Sequence, residues 1–182
     1  MWWSGRGDAG DSMPIALTDA LCTHCGLCCD GTLFADIALV GVAEARRMED
    51  LGLRLDEDSD EGVRGPTLML LPCAGLKGTR CTVYAHRPRC CRTFECQLLL
   101  DARSGAVSVD EARQSIGTAR GHVARVRALL ARLGDKRSQL PLAERCAEAL
   151  AGTARGSVRV RAQLAEAMRA LERVLNARFR SR

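Results

Sequence analysis

The chain has 182 residues, 47% hydrophobic but only 3% aromatic, with 27 basic and 22 acidic side chains. That composition allows a core built mainly of Leu, Val and Ala, and no apolar run approaches the ~20 residues that span a bilayer. The N-terminus also lacks the apolar stretch of ~7–15 residues that a secretory signal uses. The expected compartment is therefore the cytoplasm, where a dense set of cysteines more often means metal than disulfides.

Residues 1–14 are rich in Gly, Ser and Asp and read as a disordered N-terminus. Nine of the ten cysteines follow between Cys22 and Cys96, opening with Cys22-Thr-His-Cys25-Gly-Leu-Cys28-Cys29, which reads as a loop. Leu33 to Val40 suggests a short strand. Val42 to Leu51 reads as a helix with Val42, Ala45, Met48 and Leu51 on its apolar side, Glu44 among the charged residues between them, and Gly52 as its stop. The acidic run Asp56 to Glu61 has neither the spacing nor the closing Glu of a calcium loop and reads as solvated.

Thr67 to Leu71 looks like a buried strand entering Pro72-Cys73. Gly75 and Gly78 mark a turn, and Cys81 to Tyr84 is the expected returning strand of a hairpin. Cys91 to Leu100 is expected to form one short helix that Pro88 keeps from starting earlier. Three amphipathic helices follow: Ile116 to Leu133 before Gly134, Leu142 to Leu150 before Gly152, and Leu164 to Phe179. The fold class is mainly α, with a small irregular α+β cysteine-rich metal domain over 15–106, containing one short hairpin. A helical C-terminal region, 107–182, packs on it.

Thiolates bind soft or borderline metals, chiefly zinc and iron–sulfur clusters, and deprotonation couples that binding to folding. Cys22, Cys25 and Cys28 match the first three ligands of a ferredoxin-type C-x2-C-x2-C run, while the usual fourth ligand is replaced by Gly31-Thr32. Gly26 would relieve the backbone in so tight a turn. No P-loop, G-x-S-x-G elbow or H-E-x-x-H helix accompanies the cysteines.

The whole pattern resembles a known family. Cys22-x2-Cys25-Gly-x-Cys28-Cys29, then Cys73, then Cys81-Thr-Val-Tyr84-x2-Arg87-Pro88-x2-Cys91-Arg92-x-Phe94-x-Cys96 is similar to the CxxCxxCC (YkgJ-type) family of zinc- or iron-chelating proteins, over roughly residues 20–100. The resemblance implies metal ligation by Cys22, Cys25, Cys28, Cys29, Cys73, Cys81, Cys91 and Cys96. It leaves Cys90 as an extra thiol and Cys146 outside the motif. One related group, the flagellin lysine N-methylases, joins such a cysteine domain to methyl transfer, but this chain is much shorter and has no Gly-rich nucleotide loop. The expected cofactor is a metal, with an iron–sulfur cluster or other iron site favoured slightly over zinc. It would serve redox chemistry or protein modification. The alternative is a structural zinc module whose basic helices bind a protein or nucleic acid.

Arg87 and Arg92 are candidate cofactor-binding residues, since guanidinium groups offset the excess charge of clustered thiolates. Tyr84 and Phe94 are expected to pack around the site, and His24, His86 and His122 to lie outside the ligand set. Residues 1–106 carry 11 basic and 15 acidic side chains, and residues 107–182 carry 16 and 7. Because 25 of the 27 basic residues are Arg and signs are mixed along the last helix, the expected partner is a protein. Nucleic acid and membrane are not expected.

Overall fold

The computed structural model describes residues 13–60, 63–152 and 158–180. Most of the segment expected to be disordered, residues 1–12, lies outside the described residues, whereas Met13 and Pro14 begin the first helix. In chain order the elements are α1 (Met13–Cys25), β1 (Asp36–Ala38), α2 (Gly41–Asp50), β2 (Leu55–Asp60) and β3 (Val63–Leu70). Next come β4 (Leu76–Lys77), β5 (Arg80–Cys81), a 3₁₀ turn (Tyr84–His86), α3 (Arg89–Thr93) and α4 (Gln97–Arg103). The chain continues with α5 (Val109–Arg132), α6 (Leu142–Ala151) and α7 (Val158–Arg178). No helix among the described residues is long and apolar enough to cross a membrane.

The long helices form where the sequence keeps one apolar stripe. In α5, Ala112, Ile116, Ala119, Val123, Val126 and Leu130 are buried at spacings of four, three, four, three and four, the period of one helical face. Ser108 and Glu111 close a capping box at its start, satisfying backbone donors that the first turn leaves open. Leu164, Ala167, Leu171 and Leu175 form the matching stripe of α7. These faces meet Leu21 of α1, Leu27, Leu98 and Leu99 of α4, and Leu142 and Cys146 of α6 in one helical core.

A second, smaller core lies under the sheet, made of Leu39, Ala45, Met48, Leu53, Met69 and Leu71. The sheet order is β1-β3-β2, all antiparallel, with Ile37 opposite Met69 and Leu55 also opposite Met69.

Four local expectations are corrected. The cysteine loop is helical as far as Cys25, because Leu21 and the partly buried Leu17 anchor α1 in the helical core. Asp56 to Asp60 of the acidic run lie in the edge strand β2 rather than in a loop, and Glu61 lies outside the described residues. β3 pairs with β1 and β2, so the hairpin is reduced to β4 and β5, and Tyr84 falls in the 3₁₀ turn. The helix expected over Cys91 to Leu100 is two, because Phe94 and Cys96 both take extended conformations. That break sends Cys91 and Cys96 in different directions.

Candidate metal centre

Cys22 and Cys25 stand three residues apart in the last turn of α1 and so share one helix face. Gly26 then takes φ +72°, and its carbonyl accepts from the N–H groups of Cys29 and Asp30, each at 3.0 Å. This tight turn brings Cys28 back beside the helix end. A Cβ on Gly26 would approach Thr79 Cα to 3.3 Å, and Thr79 Oγ1 donates to the Thr23 carbonyl, so the β4–β5 hairpin docks onto this turn.

Cys96, at the start of α4, is the sulfur whose charge acts on all of Cys22, Cys25 and Cys28, and on that basis these four group as a first quartet. Desolvation and then the Cys96 sulfur push the Cys22 thiol up to about 11 although the residue as a whole is exposed, and burial, with Cys96 adding to it, pushes Cys25 up to about 12. Cys28 is pushed up more strongly, by burial and then by Cys25, Cys96, Cys29 and Cys22. Cys96 is also raised by burial, against the N–H groups of Leu99 and Leu98, which favour its thiolate. Cys25 and Cys96 both pack against the helical core.

Of the other six cysteines, Cys29, Cys73, Cys81 and Cys91 group as a second quartet toward the sheet side. The Cys73 N–H donates to the Cys29 carbonyl at 2.8 Å. Burial raises Cys29 to about 12, with further contributions from Cys73 and Cys81. Burial raises Cys73, opposed by the Gly75 N–H and reinforced by Cys81. Cys91 is raised by burial and then by Cys90, Cys29 and Cys73. Cys73 and Cys91 pack against the sheet core. The two quartets therefore adjoin at the Cys28–Cys29 peptide.

Cys90 sits at the margin of the second quartet, its sulfur hydrogen-bonded to that of Cys91. Cys146 lies apart, buried in the helical core with Arg145 and Asp135 as its charged neighbours, and its thiol is pushed up to about 11 by burial. All ten cysteines are free thiols. Among the described residues no three His, Cys, Asp or Glu side chains are drawn together closely enough to hold an ion as they stand. Loading would require the sulfurs of a quartet to close to about 2.3 Å around a common centre. The donor chemistry fits such an ion: soft thiols, mutually repelling as thiolates, with backbone N–H groups directed at several of them.

Arg87 stands between the quartets, where its charge favours the thiolates of both Cys22 and Cys29. It donates to the Tyr84 and Cys91 carbonyls and lies 3.7 Å from the Tyr84 ring centroid. Arg92 is exposed, and the charge it acts on is the Glu44 carboxylate. Arg54, which no sequence signal singled out, favours the Cys73 thiolate and donates to the Pro72 and Gln139 carbonyls. Tyr84 and Phe94 do not pack inward as expected. They are 48% and 41% exposed, Tyr84 beneath Arg87 and Phe94 edge-on to Phe34. His24 and His86 are exposed.

A family model for CxxCxxCC, described as "Putative zinc- or iron-chelating domain", matches residues 21–116. The chain belongs to the CxxCxxCC family. The match takes in all eight cysteines of the pattern and the first two turns of α5, so the domain described as zinc- or iron-chelating has further helices after it. No curated protein and no solved structure matches the chain.

Proposed function

We propose that the two quartets, Cys22/Cys25/Cys28/Cys96 and Cys29/Cys73/Cys81/Cys91, are two four-thiolate metal centres of a cytoplasmic protein that acts with a protein partner. The observation that carries this reading is how the thiols influence one another electrostatically: apart from the adjoining pair Cys28 and Cys29, the sulfurs that raise each cysteine belong to its own group or are Cys90. Iron is favoured at the first centre, whose C-x2-C-x2-C run follows the spacing of cluster-binding loops. Either metal suits the second. Iron would supply one-electron chemistry, and zinc a fixed charge and a cross-link. Arg87 would offset the excess negative charge of both centres.

A protein partner is favoured over nucleic acid because many arginines of the C-terminal half are already paired with acids. Arg113 pairs with Asp110, Arg137 with Asp135 and Glu148, Arg145 with Asp135, and Arg180 with Glu172.

Metal and sulfide analysis of anaerobically purified protein tests the reading. Two centres per chain are expected, and serine at Cys25 or at Cys73 should each remove one centre while leaving the other. Colour with acid-labile sulfide at the Cys25 centre identifies a cluster, and a colourless protein with stoichiometric zinc identifies the structural alternative. Substoichiometric metal that is indifferent to both substitutions would sink the two-centre reading.

A further inference from the structure

The helix that carries Cys91 is only five residues long and cannot satisfy its own start. The first N–H groups of a helix have no intrahelical partner, and the residue at the N-cap of α3 is Pro88, which provides no side-chain acceptor. The acceptor comes instead from α2. Glu44 Oε1 accepts from the Arg89 N–H at 2.7 Å, and Glu44 Oε2 accepts from the Val40 N–H at 2.8 Å. Glu44 is 9% exposed, on the buried face of α2 with Ala45 and Met48. Burial alone would raise its carboxyl, but the two N–H groups, with Arg47 and Arg92, hold it below the usual range, so it is ionised.

The other polar contacts of α3 are local. The Arg92 N–H donates to the Pro88 carbonyl, Phe94 N–H to Cys90, Thr93 Oγ1 to Arg89, and Arg87 to Cys91. Among the described residues, the bond from Arg89 to Glu44 is the one hydrogen bond joining α3 to a distant part of the chain. It spans 45 positions and reaches the same small core against which Cys73 and Cys91 pack.

We propose that Glu44 is a positioning residue for the second centre, fixing α3 so that Cys91 meets Cys29, Cys73 and Cys81. This rests on the two-centre reading. Glu44 touches no sulfur of the quartet. It acts through the orientation of the helix, as outer-shell partners do at many metal sites.

The experiment is cadmium titration of the reduced full-length chain, followed by cadmium NMR, with one resonance expected per four-thiolate centre. In Glu44→Ala the affinity of the second centre should fall on the order of 10- to 100-fold, the range for outer-shell partners, while the first keeps its affinity and resonance. Glu44→Gln retains one amide oxygen as an acceptor and should lose less. It also serves as the test variant should Glu44→Ala not fold, and an unchanged first-centre resonance reports that the helical region is intact. Equal weakening of both centres would assign Glu44 to general stability and overturn the proposal, as would unchanged binding at both. A wild-type chain that takes up fewer than two ions would instead overturn the two-centre reading and the proposal with it.

Discussion

Gly31 is the position where a single methyl group should do most damage. It has φ +75°, and an added Cβ would lie 3.1 Å from Pro72 Cδ and 3.2 Å from Pro141 Cα. Its carbonyl also accepts from the Leu142 N–H at 2.9 Å. Three segments therefore cross at Gly31: the turn carrying Cys29, the chain entering Cys73, and the start of α6. For Gly31→Ala, the left-handed backbone costs roughly 1–2 kcal/mol and forcing a methyl into packed backbone about 1–3 kcal/mol more. At roughly 2–4 °C per kcal/mol for a chain of this size, the melting temperature should fall by about 4–20 °C. Gly52→Ala is the control, with φ +74° but nothing within 4 Å of its Cβ, so only the backbone cost of roughly 1–2 kcal/mol applies. Calorimetry of both variants, metal-loaded and stripped, gives the comparison. Because Pro72 precedes Cys73, the loaded Gly31→Ala protein should also bind its second ion more weakly. Equal melting temperatures for the two variants would refute the tight crossing.

Two further outcomes follow from the thiols. Desolvation pushes Cys22, Cys25 and Cys29 up to about 11, about 12 and about 12, against an ordinary value of 9.0, so they should titrate late in stripped, reduced protein. The folded state therefore holds these protons longer than the unfolded one. Their contribution to stability is full below about pH 9 and is lost as the pH climbs towards 11–12; a melting temperature that rises over that interval would contradict it. Cys146→Ala should cost about 1–2 kcal/mol as a small core truncation and leave metal content unchanged. A lost ion would place Cys146 in a centre.

The long helices were legible in the sequence because α5 and α7 repeat one apolar face over many turns, and Gly134 ends α5 with a positive φ. Shorter elements were hidden by their composition. α1 ends in Cys22-Thr-His-Cys25, which reads as a loop until Leu17 and Leu21 earlier in the same helix are found in the helical core. In α2 the expected apolar face is rotated: Val42 is 67% exposed and Leu51 36%, while Glu44 takes a buried place. A Glu flanked by charged neighbours looks solvated in one dimension, and only its hydrogen bond to Arg89, 45 residues away, shows why it is inside. The division of the cysteines was equally out of reach. Cys28 and Cys29 are adjacent and suggest one site, yet different sulfurs act electrostatically on each, which is what the proposed division rests on.

The charge asymmetry of the chain finds a structural use at the same turn. Arg120 and Arg127, seven residues apart and hence on one face of α5, both reach it. Arg120 donates to the Cys25 carbonyl at 2.8 Å, where α1 ends, and Arg127 pairs with the Asp30 carboxylate at 3.0 Å. A cation at a helix C-terminus complements both its open carbonyl groups and its dipole. The basic half thus grips the acidic half where Cys25, Cys28 and Cys29 are presented. Cys25 and Cys96 rest on the helical core, and Cys73 and Cys91 on the sheet core. With the first quartet braced by α5 and the second by Glu44 and the sheet, metal at the two proposed centres would cross-link the cores across the single Cys28–Cys29 peptide. On that reading, the helices beyond the family match serve the cysteine domain as a brace, with Arg120 and Arg127 as its points of attachment.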